Sequence, residues 1–477
     1  MLEADTTHHS THLSGLTLEQ CQSARLARDN RFDGRFFVAV KTTGIFCRPI
    51  CPANLPKEAN VEYFAKQVQA LQSGYRPCLR CRPDSAPGSW AWKGVETTFQ
   101  RAVNLIDQGE LQSSNLPELS SRLGISDRYL RQLFQQYLGM SPKQYAQYQQ
   151  LMFAKQLLHT SNMSIGDIAI ASGFNSVRRF NDAFQKKLKL TPSDTRKTTR
   201  ADTNAADATV DKHLRLSYRP PFNWDHLLAF YRKRAIQSIE EVGEDYYART
   251  FVSTHSQGWF KAELGAKNTL EITFDIDDIT QLKHMVSQIR RLFDLDADIA
   301  VIEQHLQQTA IGPLMTSGLR IPGVWSAWEA GVRAIFGQQV SITAAITVLN
   351  GFVSSLDETE ESGVASRRYF PTPTEIVNAD FSVLRMPQTR KDTLKRFADY
   401  MVDHMDAPPE DWLALKGIGP WTVSYAKLRG LSQPDCFLST DLVIKKAIAD
   451  VDDQKQLIES LSPWGSYATF NCWNSQS

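Results

Sequence analysis

Over the first eighty residues apolar positions come in short pieces. "RFFVAV", residues 35–40, predicts a strand that leads into a turn at Thr43–Gly44. "VEYFAKQVQALQSG", residues 61–74, carries a helical pattern closed by Gly74. From 93 to 200 the apolar spacing is helical throughout. "LSSRLGISDRYLRQLF" predicts helix, glycine turn, helix: Ser126 caps the second helix, and Tyr129 and Leu130 begin its apolar face. The unit returns about fifty residues later as "IGDIAIASGFNSVRRFNDAFQKKLKLTPSD", with Gly173 at the turn, Ser176 as cap, and Phe180 and Phe184 as the apolar stripe. A long helix over about 142–158 joins the two. Residues 195–212, "TRKTTRADTNAADATVDK", have no apolar period and predict a linker. Beyond it, strand-like pieces such as "LEITFDI" predict a mixed α/β layer to about residue 300, and helices follow from 301. The fold class expected is multidomain, mainly α with α+β parts. The expected divisions are a small cysteine-bearing domain over 15–87, a double helix-turn-helix domain over 93–200, a linker over 201–212, a mixed α/β subdomain over 213–300 and a helical domain over 301–477.

The length of 477 residues fits three or four domains. No apolar run approaches the ~20 residues that span a bilayer, and the start "MLEADTTHHSTH" is polar, so a cytoplasmic, nucleoid-associated bacterial protein without membrane contact is expected. Seven cysteines, an odd number, argue against a disulfide framework. The net charge of +1 hides an asymmetry. Residues 25–85 carry 11 Lys/Arg against 5 Asp/Glu (+6), residues 91–200 carry 15 against 8 (+7), and residues 201–477 carry 27 against 36 (−9). A basic front half attracts polyanions, although a solvated surface gives the same count.

Cys47, Cys51, Cys78 and Cys81 form C-x3-C, 26 residues, C-x2-C. Two close thiol pairs brought together by a loop suit one tetrahedral zinc ion, which would also supply folding energy to a stretch with little apolar content. A disulfide pair or four unrelated buried thiols remain the alternatives. Cys21, Cys436 and Cys472 are isolated and read as ordinary thiols. The spacing, together with "TTGIFCRP" and "GYRPCLRC", resembles the N-terminal domain of the Ada regulator of the alkylation response over residues 20–85. That resemblance implies that Cys47, as a zinc-bound thiolate, accepts a methyl group from a methylphosphotriester in DNA. A four-thiolate zinc centre carries 2 − 4 = −2, and methylating one sulfur leaves −1, so repulsion from the phosphate backbone falls.

The paired helix-turn-helix units, with "GFNSVRRFNDAFQ" in the second, resemble the AraC-type DNA-binding domain; Gln185 stands where that family has lysine. Recognition helices are expected over about 126–137 and 176–187, with Arg128, Arg131, Arg178 and Arg179 as base or phosphate contacts. Both front segments together match Ada. The Pro-Cys-His-Arg methyltransferase motif that usually ends Ada is absent from the sequence.

In the back half, "LALKGIGPWTVSYAKLRG" predicts two helices flanking a tight turn. Gly417, Ile418 and Gly419 would present backbone amides to a DNA phosphate, and a monovalent cation can bind there. About twenty residues on, "DCFLSTDLVIKKAI" holds Asp441. A hairpin followed at this distance by an aspartate resembles the helix-hairpin-helix DNA glycosylases. The stretches "RPPFNWDHLLAF", "YYAR", "RLFDLD", "GLRIPGVWSAWEAGVRAIFGQQVS", "FPTP" and "SPWGSYATF" extend the resemblance to the AlkA type, the 3-methyladenine glycosylase II family, over 215–475. Taken alone, Asp441 reads first as a helix N-cap; its position after the hairpin reverses that preference. The resemblance implies that its carboxylate stabilises the oxocarbenium-like sugar as a flipped, N-alkylated purine leaves. It also implies a base pocket of Phe230, Trp421, Tyr425 and Trp473, which would hold a cationic purine by cation–π attraction. Trp421 takes the position of the Schiff-base lysine of lyase-type relatives, so a monofunctional enzyme is expected. Cys436 and Cys472 are too few for the iron–sulfur cluster of some relatives. Gln339 replaces the family's wedge leucine, and the sequence ends soon after Trp473.

The sequence thus predicts a sensor of methylphosphotriesters, an activator that binds a promoter as a monomer and contacts RNA polymerase, and a glycosylase acting on alkylated double-stranded DNA. The rival reading is a regulator whose glycosylase part only grips DNA.

Overall fold

The computed structural model describes residues 12–13, 16–51, 53–65, 69–70, 73, 75–78, 81, 93–107, 109–188, 190–200, 212–253, 256–356 and 368–476. The chain divides into two compact units, Met1–Gln150 and Leu151–Ser477. The division falls inside one helix and so does not follow the limits drawn from sequence character.

In the first unit, α1 (Leu18–Ala27) starts with a capping box in which the Gln20 amide donates to the Thr17 hydroxyl at 3.2 Å and the Thr17 amide donates to the Gln20 side chain at 2.7 Å. Four strands follow: β1 (Phe37–Val40), β2 (Ile45–Cys47), β3 (Val61–Phe64) and β4 (Arg76–Pro77), in the spatial order β3-β1-β2-β4. Gly44, at φ +63°, makes the predicted turn between β1 and β2. The helix expected over 61–74 is corrected at its start. Val61–Phe64 pairs antiparallel with β1, Val61 opposite Val40 and Phe64 opposite Phe37, because β1 has a second edge whose backbone groups need partners. Gln69 and Ala70 are helical, and Gly74 lies outside the described residues.

The helical part of this unit comprises α2 (Lys93–Asp107), α3 (Glu110–Ser113), α4 (Leu116–Arg122) and α5 (Asp127–Leu138). Asn115 and Glu118 form a capping box at α4, and Gly124 turns the chain at φ +68°. Ser126 accepts from the Tyr129 amide at 3.3 Å to open α5, as predicted. Leu130, Leu133 and Phe134 pack on Phe99 and Tyr145. Helix α6 (Pro142–Thr160) continues past the boundary between the units.

In the second unit, α7 (Ile165–Ala171) and α8 (Val177–Leu188) form the second helix-turn-helix, with Gly173 at φ +82° and the Arg179 amide donating to Ser176 at 3.3 Å. Helix α9 (Pro192–Arg200) corrects the predicted linker: Thr191 caps it through the Asp194 amide, and Thr195 is buried. Lys212 begins a strand, and residues 201–211 lie outside the described residues.

The five-stranded antiparallel sheet consists of β5 (Lys212–Ser217), β6 (Glu240–Val242), β7 (Tyr246–Val252), β8 (Gln257–Leu264) and β9 (Thr269–Ile276), in the order β5-β9-β8-β7-β6. Its edge strand β5 is not left open. Ser161 forms an antiparallel bridge with Leu214, the Asn162 amide donates to the His213 carbonyl at 3.3 Å, and the His213 amide donates to Asn162 Oδ1 at 3.1 Å. Phe174, Phe180 and Phe184 of the helix-turn-helix share one buried apolar cluster with Leu214, Leu216 and Ile272 of the sheet.

Helix α10 (Trp224–Arg232) follows β5, α11 (Leu282–Leu292) follows β9, and α12 (Ile299–Leu306) opens the helical part. There α13 (Ala327–Gly337), α14 (Ile342–Ser355), α15 (Pro373–Asn378) and α16 (Gln388–Asp403) surround Phe352, Phe397 and Trp412. A buried ion network joins sheet to helices: Arg249 on β7 meets Glu329 on α13 at 2.9 Å, Arg333 meets Glu240 at 2.6 Å, and Tyr247 donates to Glu240 at 2.7 Å. No single helix among the described residues is long and apolar enough to cross a membrane.

Candidate functional site

In the first unit, strand β2 ends at Cys47, the turn after it carries Cys51, and the segment after β4 brings Cys78 and Cys81. The Cys78 amide donates to the Phe46 carbonyl at 2.9 Å, which fixes the second pair beside the first. The four Sγ atoms all lie within 4.8 Å of one another. Zinc–sulfur bonds of ~2.3 Å in a tetrahedron put sulfurs ~3.8 Å apart, so the cluster fits one zinc ion. All seven cysteines are free thiols, which removes the disulfide alternative.

The four sulfurs are not equivalent. Cys51 and Cys81 are buried, whereas Cys47 and Cys78 are partly exposed. The Arg48 amide donates to Cys81 Sγ at 3.3 Å, and the Ala53 amide donates to Cys51. Among the described residues no backbone amide donates to Cys47. Donation to Cys51 and Cys81, and then burial, push the Cys47 thiol well up, while Cys51, accepting from Cys47 and then Cys81, is pushed down. A cation bound among the four sulfurs would favour the thiolate at each of them. Arg48 is held in place by Asp33, with Nε donating at 2.7 Å. Burial raises the isolated thiols Cys21 and Cys472 to about 12 and Cys436 to about 11.

Of the predicted recognition residues, Arg128 and Arg131 lie exposed on α5, with Arg131 4.0 Å from Asp127, and Arg178 and Arg179 lie exposed on α8.

In the second unit, the hairpin runs from a 3-10 turn (Pro409–Ala414) into α17 (Pro420–Tyr425), which continues as a π-helical turn (Ala426–Gly430). The expected first helix is thus a short 3-10 segment. Gly417 has φ +97°, and a Cβ there would meet Thr393 Oγ1 at 2.0 Å; a Cβ at Gly419 would meet nothing within 4 Å. Ile418 is buried, so the hairpin is rooted by its middle residue and open at Gly419. The Lys416 carbonyl accepts from Arg396 at 3.0 Å and the Gly417 carbonyl accepts from Gln338 at 3.1 Å.

Asp441 is the helix N-cap that the sequence allowed. It caps α18 (Leu442–Ala447), with Oδ1 accepting from the Val443 amide at 2.9 Å and the Ile444 amide at 3.3 Å. It also accepts from two indoles: Trp473 Nε1 donates to Oδ1 at 3.2 Å and Trp421 Nε1 donates to Oδ2 at 3.1 Å. Trp421 stacks on Tyr425 at 5.2 Å, and Trp473, on α19 (Gly465–Ser475), lies 6.4 Å from Tyr425. Phe470 lies between Trp473 (5.2 Å) and Phe230 (5.6 Å). The structure therefore brings Asp441, Trp421, Tyr425, Trp473 and Phe230 into one cluster, with Phe230 in its second layer. Gln339, the expected wedge, is exposed on the α13–α14 loop at φ +56°.

Two residues were missed. Arg429 donates to the Tyr425 hydroxyl at 2.8 Å and lies 4.9 Å from the Phe230 ring centroid; Arg234 lies 3.7 Å from the same ring. Burial alone would raise the Tyr425 phenol, but Arg429 and Arg234 outweigh it and lower its pKa. Both arginines follow their aromatic partner by four residues, Phe230–Arg234 and Tyr425–Arg429, a helical spacing readable in the sequence.

The chain is 33% identical to the "Probable bifunctional transcriptional activator/DNA repair enzyme AlkA" of Mycobacterium tuberculosis, over 95% of this chain and 96% of that protein. It belongs to this AlkA family of bifunctional activator/repair proteins. Its parts match separately as well. Residues 20–84 match the metal binding domain of Ada, 119–198 a helix-turn-helix domain, and 213–326 the AlkA N-terminal domain. DNA-3-methyladenine glycosylase 2 of Escherichia coli is 31% identical over 54% of the chain and 95% of its own length. The bifunctional transcriptional activator/DNA repair enzyme AdaA of Bacillus subtilis is 31% identical over 39% of the chain and 86% of its own length. In this AlkA-family chain the cysteine cluster falls in the Ada-like part, and Asp441 lies beyond the AlkA N-terminal match.

Proposed function

We propose that this chain repairs alkylated double-stranded DNA and regulates transcription of that repair, with Asp441 as the catalytic carboxylate of a monofunctional glycosylase and Cys47 as a methyl acceptor. The observation that carries the enzyme reading is Asp441 gripped by two tryptophan indoles beside a hairpin whose backbone is open at Gly419. The hairpin would hold a phosphate, and the extruded base would stack among Trp421, Tyr425 and Trp473. As the bond from C1′ to the base nitrogen breaks, that electron pair leaves with the base and positive charge grows on the sugar, until water bonds C1′ and releases a proton to leave the abasic site. Among the described hydrogen bonds Oδ2 of Asp441 accepts from one indole while Oδ1 accepts three donors, so Oδ2 is the oxygen free to face that charge. Trp421 in place of a lysine supports base removal without strand cleavage. A monovalent cation at the hairpin would have to compete with Arg396 and Gln338 for the carbonyls of Lys416 and Gly417.

In the front half, zinc bound to the four sulfurs would keep them deprotonated. Exposure and the lack of an amide donor favour Cys47 over Cys51 and Cys81. Its sulfur bonds the methyl carbon of a phosphotriester as the carbon–oxygen bond breaks, and a phosphodiester anion leaves. The halved site charge would tighten promoter binding through Arg128, Arg131, Arg178 and Arg179. Contact with RNA polymerase, action as a monomer and a cytoplasmic, nucleoid-associated location complete the reading.

The test uses duplex DNA bearing 3-methyladenine or 7-methylguanine. Native protein should leave alkali-sensitive sites, and Asp441→Asn should leave none while still binding DNA. Strand breaks without alkali would contradict the monofunctional assignment. No abasic sites from folded, DNA-binding native protein would favour the regulator-only reading.

A further inference from the structure

Behind the two indoles the cluster holds two guanidinium groups in different states. Arg429 is satisfied: Nε donates to the Pro322 carbonyl at 2.8 Å, Nη1 to Tyr425 at 2.8 Å and Nη2 to the Gly323 carbonyl at 3.3 Å. Arg234 is not. Among the described residues its guanidinium makes one hydrogen bond, from Nη1 to the Phe230 carbonyl at 3.3 Å, and forms no ion pair. It lies face-on over Phe230 at 3.7 Å, and Phe230 connects through Phe470 to Trp473, which holds Asp441. A guanidinium has five N–H donors; Arg234 is half-buried and its Nε and Nη2 are not sealed from water, so they are open to a ligand that enters beside Phe230. Burial, and then the Arg429 charge, lower its pKa to about 10, so it is still a cation at neutral pH.

An idle, forked, cationic donor beside a base pocket suits an acceptor on the base. Its backbone is also fixed, because Arg333 of the buried network donates to the Arg234 carbonyl at 2.8 Å. On a purine, the group at carbon 6 separates the two candidate classes. A 6-oxo purine presents a carbonyl oxygen that accepts from Arg234. A 6-amino purine presents donors and would set N–H against N–H. The cation also opposes an alkylated, positively charged base, and only the oxo class offsets that repulsion with a hydrogen bond. We infer that Arg234 is a specificity-determining residue that donates to the carbonyl oxygen of an extruded 6-oxo purine. This rests on the glycosylase reading above.

The experiment compares release of 3-methylguanine and 3-methyladenine from one methylated duplex preparation by the full native chain, Arg234→Gln and Arg234→Lys. A charge-assisted hydrogen bond lost at a pocket should lower kcat/KM for 3-methylguanine at least about tenfold in Arg234→Gln. Release of 3-methyladenine should hold or rise. Arg234→Lys, which keeps the charge and loses the fork, should fall between. The dependence of duplex affinity on salt should not change. Equal losses for both bases would overturn the inference. So would a salt slope reduced by about one, the mark of a phosphate contact. Quenching of tryptophan fluorescence by the two free bases separates this inference from the reading beneath it. Should the native chain release neither base, the glycosylase reading fails. Preferential binding of free 3-methylguanine, lost in Arg234→Gln, would still sustain the role of Arg234, and equal binding would end it.

Discussion

At the scale of single residues, the two indoles on Asp441 do different work from the helix amides. The Val443 and Ile444 amides would hold any N-capping aspartate. The Trp421 and Trp473 bonds turn that cap toward an aromatic pocket. Trp473→Phe keeps a ring edge-on to Phe470 and deletes one donor. Single-turnover excision of 3-methyladenine should therefore slow about ten- to a hundredfold, the size of one lost hydrogen bond to a charged group, with little change in duplex affinity. An unchanged rate would mean that the cap alone orients Asp441. Asp441 and the four zinc-spaced cysteines were legible in the sequence because each sits in a short, punctuated stretch. Arg234 and Arg429 were not singled out, although their spacing was visible, because an arginine four residues after an aromatic ring is more often a solvated helix face. Only the structure shows Arg429 buried and Arg234 without a carboxylate partner among the described residues.

At the scale of elements, the helix-turn-helix units were readable because glycine turns and serine caps mark their limits: Gly124 with Ser126 and Gly173 with Ser176. Strand β3 was not, because "VEYFAKQ" carries a helical period and becomes a strand only through its pairing with β1. The hairpin depends on one position. Gly417→Ala would put a methyl carbon 2.0 Å from Thr393 Oγ1 at a left-handed φ, and either α16 or the hairpin must shift. About 1–3 kcal/mol of stability should be lost, seen in a urea titration, and duplex affinity should fall with it. Gly419→Ala meets no atom, so its stability should hold while affinity falls, because the added methyl stands where the phosphate would approach. Equal affinity for native protein and Gly419→Ala would remove the hairpin from the DNA interface.

At the scale of the molecule, several family stretches turn out to hold subdomains together and not to form the site. Arg249 of "YYAR" and Glu329 of "WEAGVRAIFG" meet in the buried network, and Trp328 donates to the Pro371 carbonyl of "FPTP" at 2.8 Å. Burial would raise the Glu329 carboxyl, but Arg249 and Arg333 prevail and hold it at about 2, against ~4.3 when unfolded. A depressed folded pKa means that its contribution is full above ~4.3 and is lost as pH falls toward 2. Urea midpoints should therefore drop across that window, and Glu329→Gln should flatten the drop while destabilising the protein at pH 7 by about 3–5 kcal/mol. The same unit includes the second helix-turn-helix. The Ser161–Leu214 bridge and the shared cluster of Phe174, Phe180 and Phe184 with Leu214 and Ile272 join α7 and α8 to the sheet. The polar stretch before β5 gave no sign of this, because the pairing closes across residues that carry no pattern of their own. Helix α8 is therefore built into the unit that carries Asp441. Ile279, packed against that cluster, is the place to test the join. Ile279→Asp buries a charge there, so hydrogen exchange should rise in α7, α8 and β5 together, with α17 and α18 unaffected. Faster exchange confined to the mutated turn would mean that the two parts open independently, and the helix-turn-helix would then be free to bind its promoter without fixing where the glycosylase points.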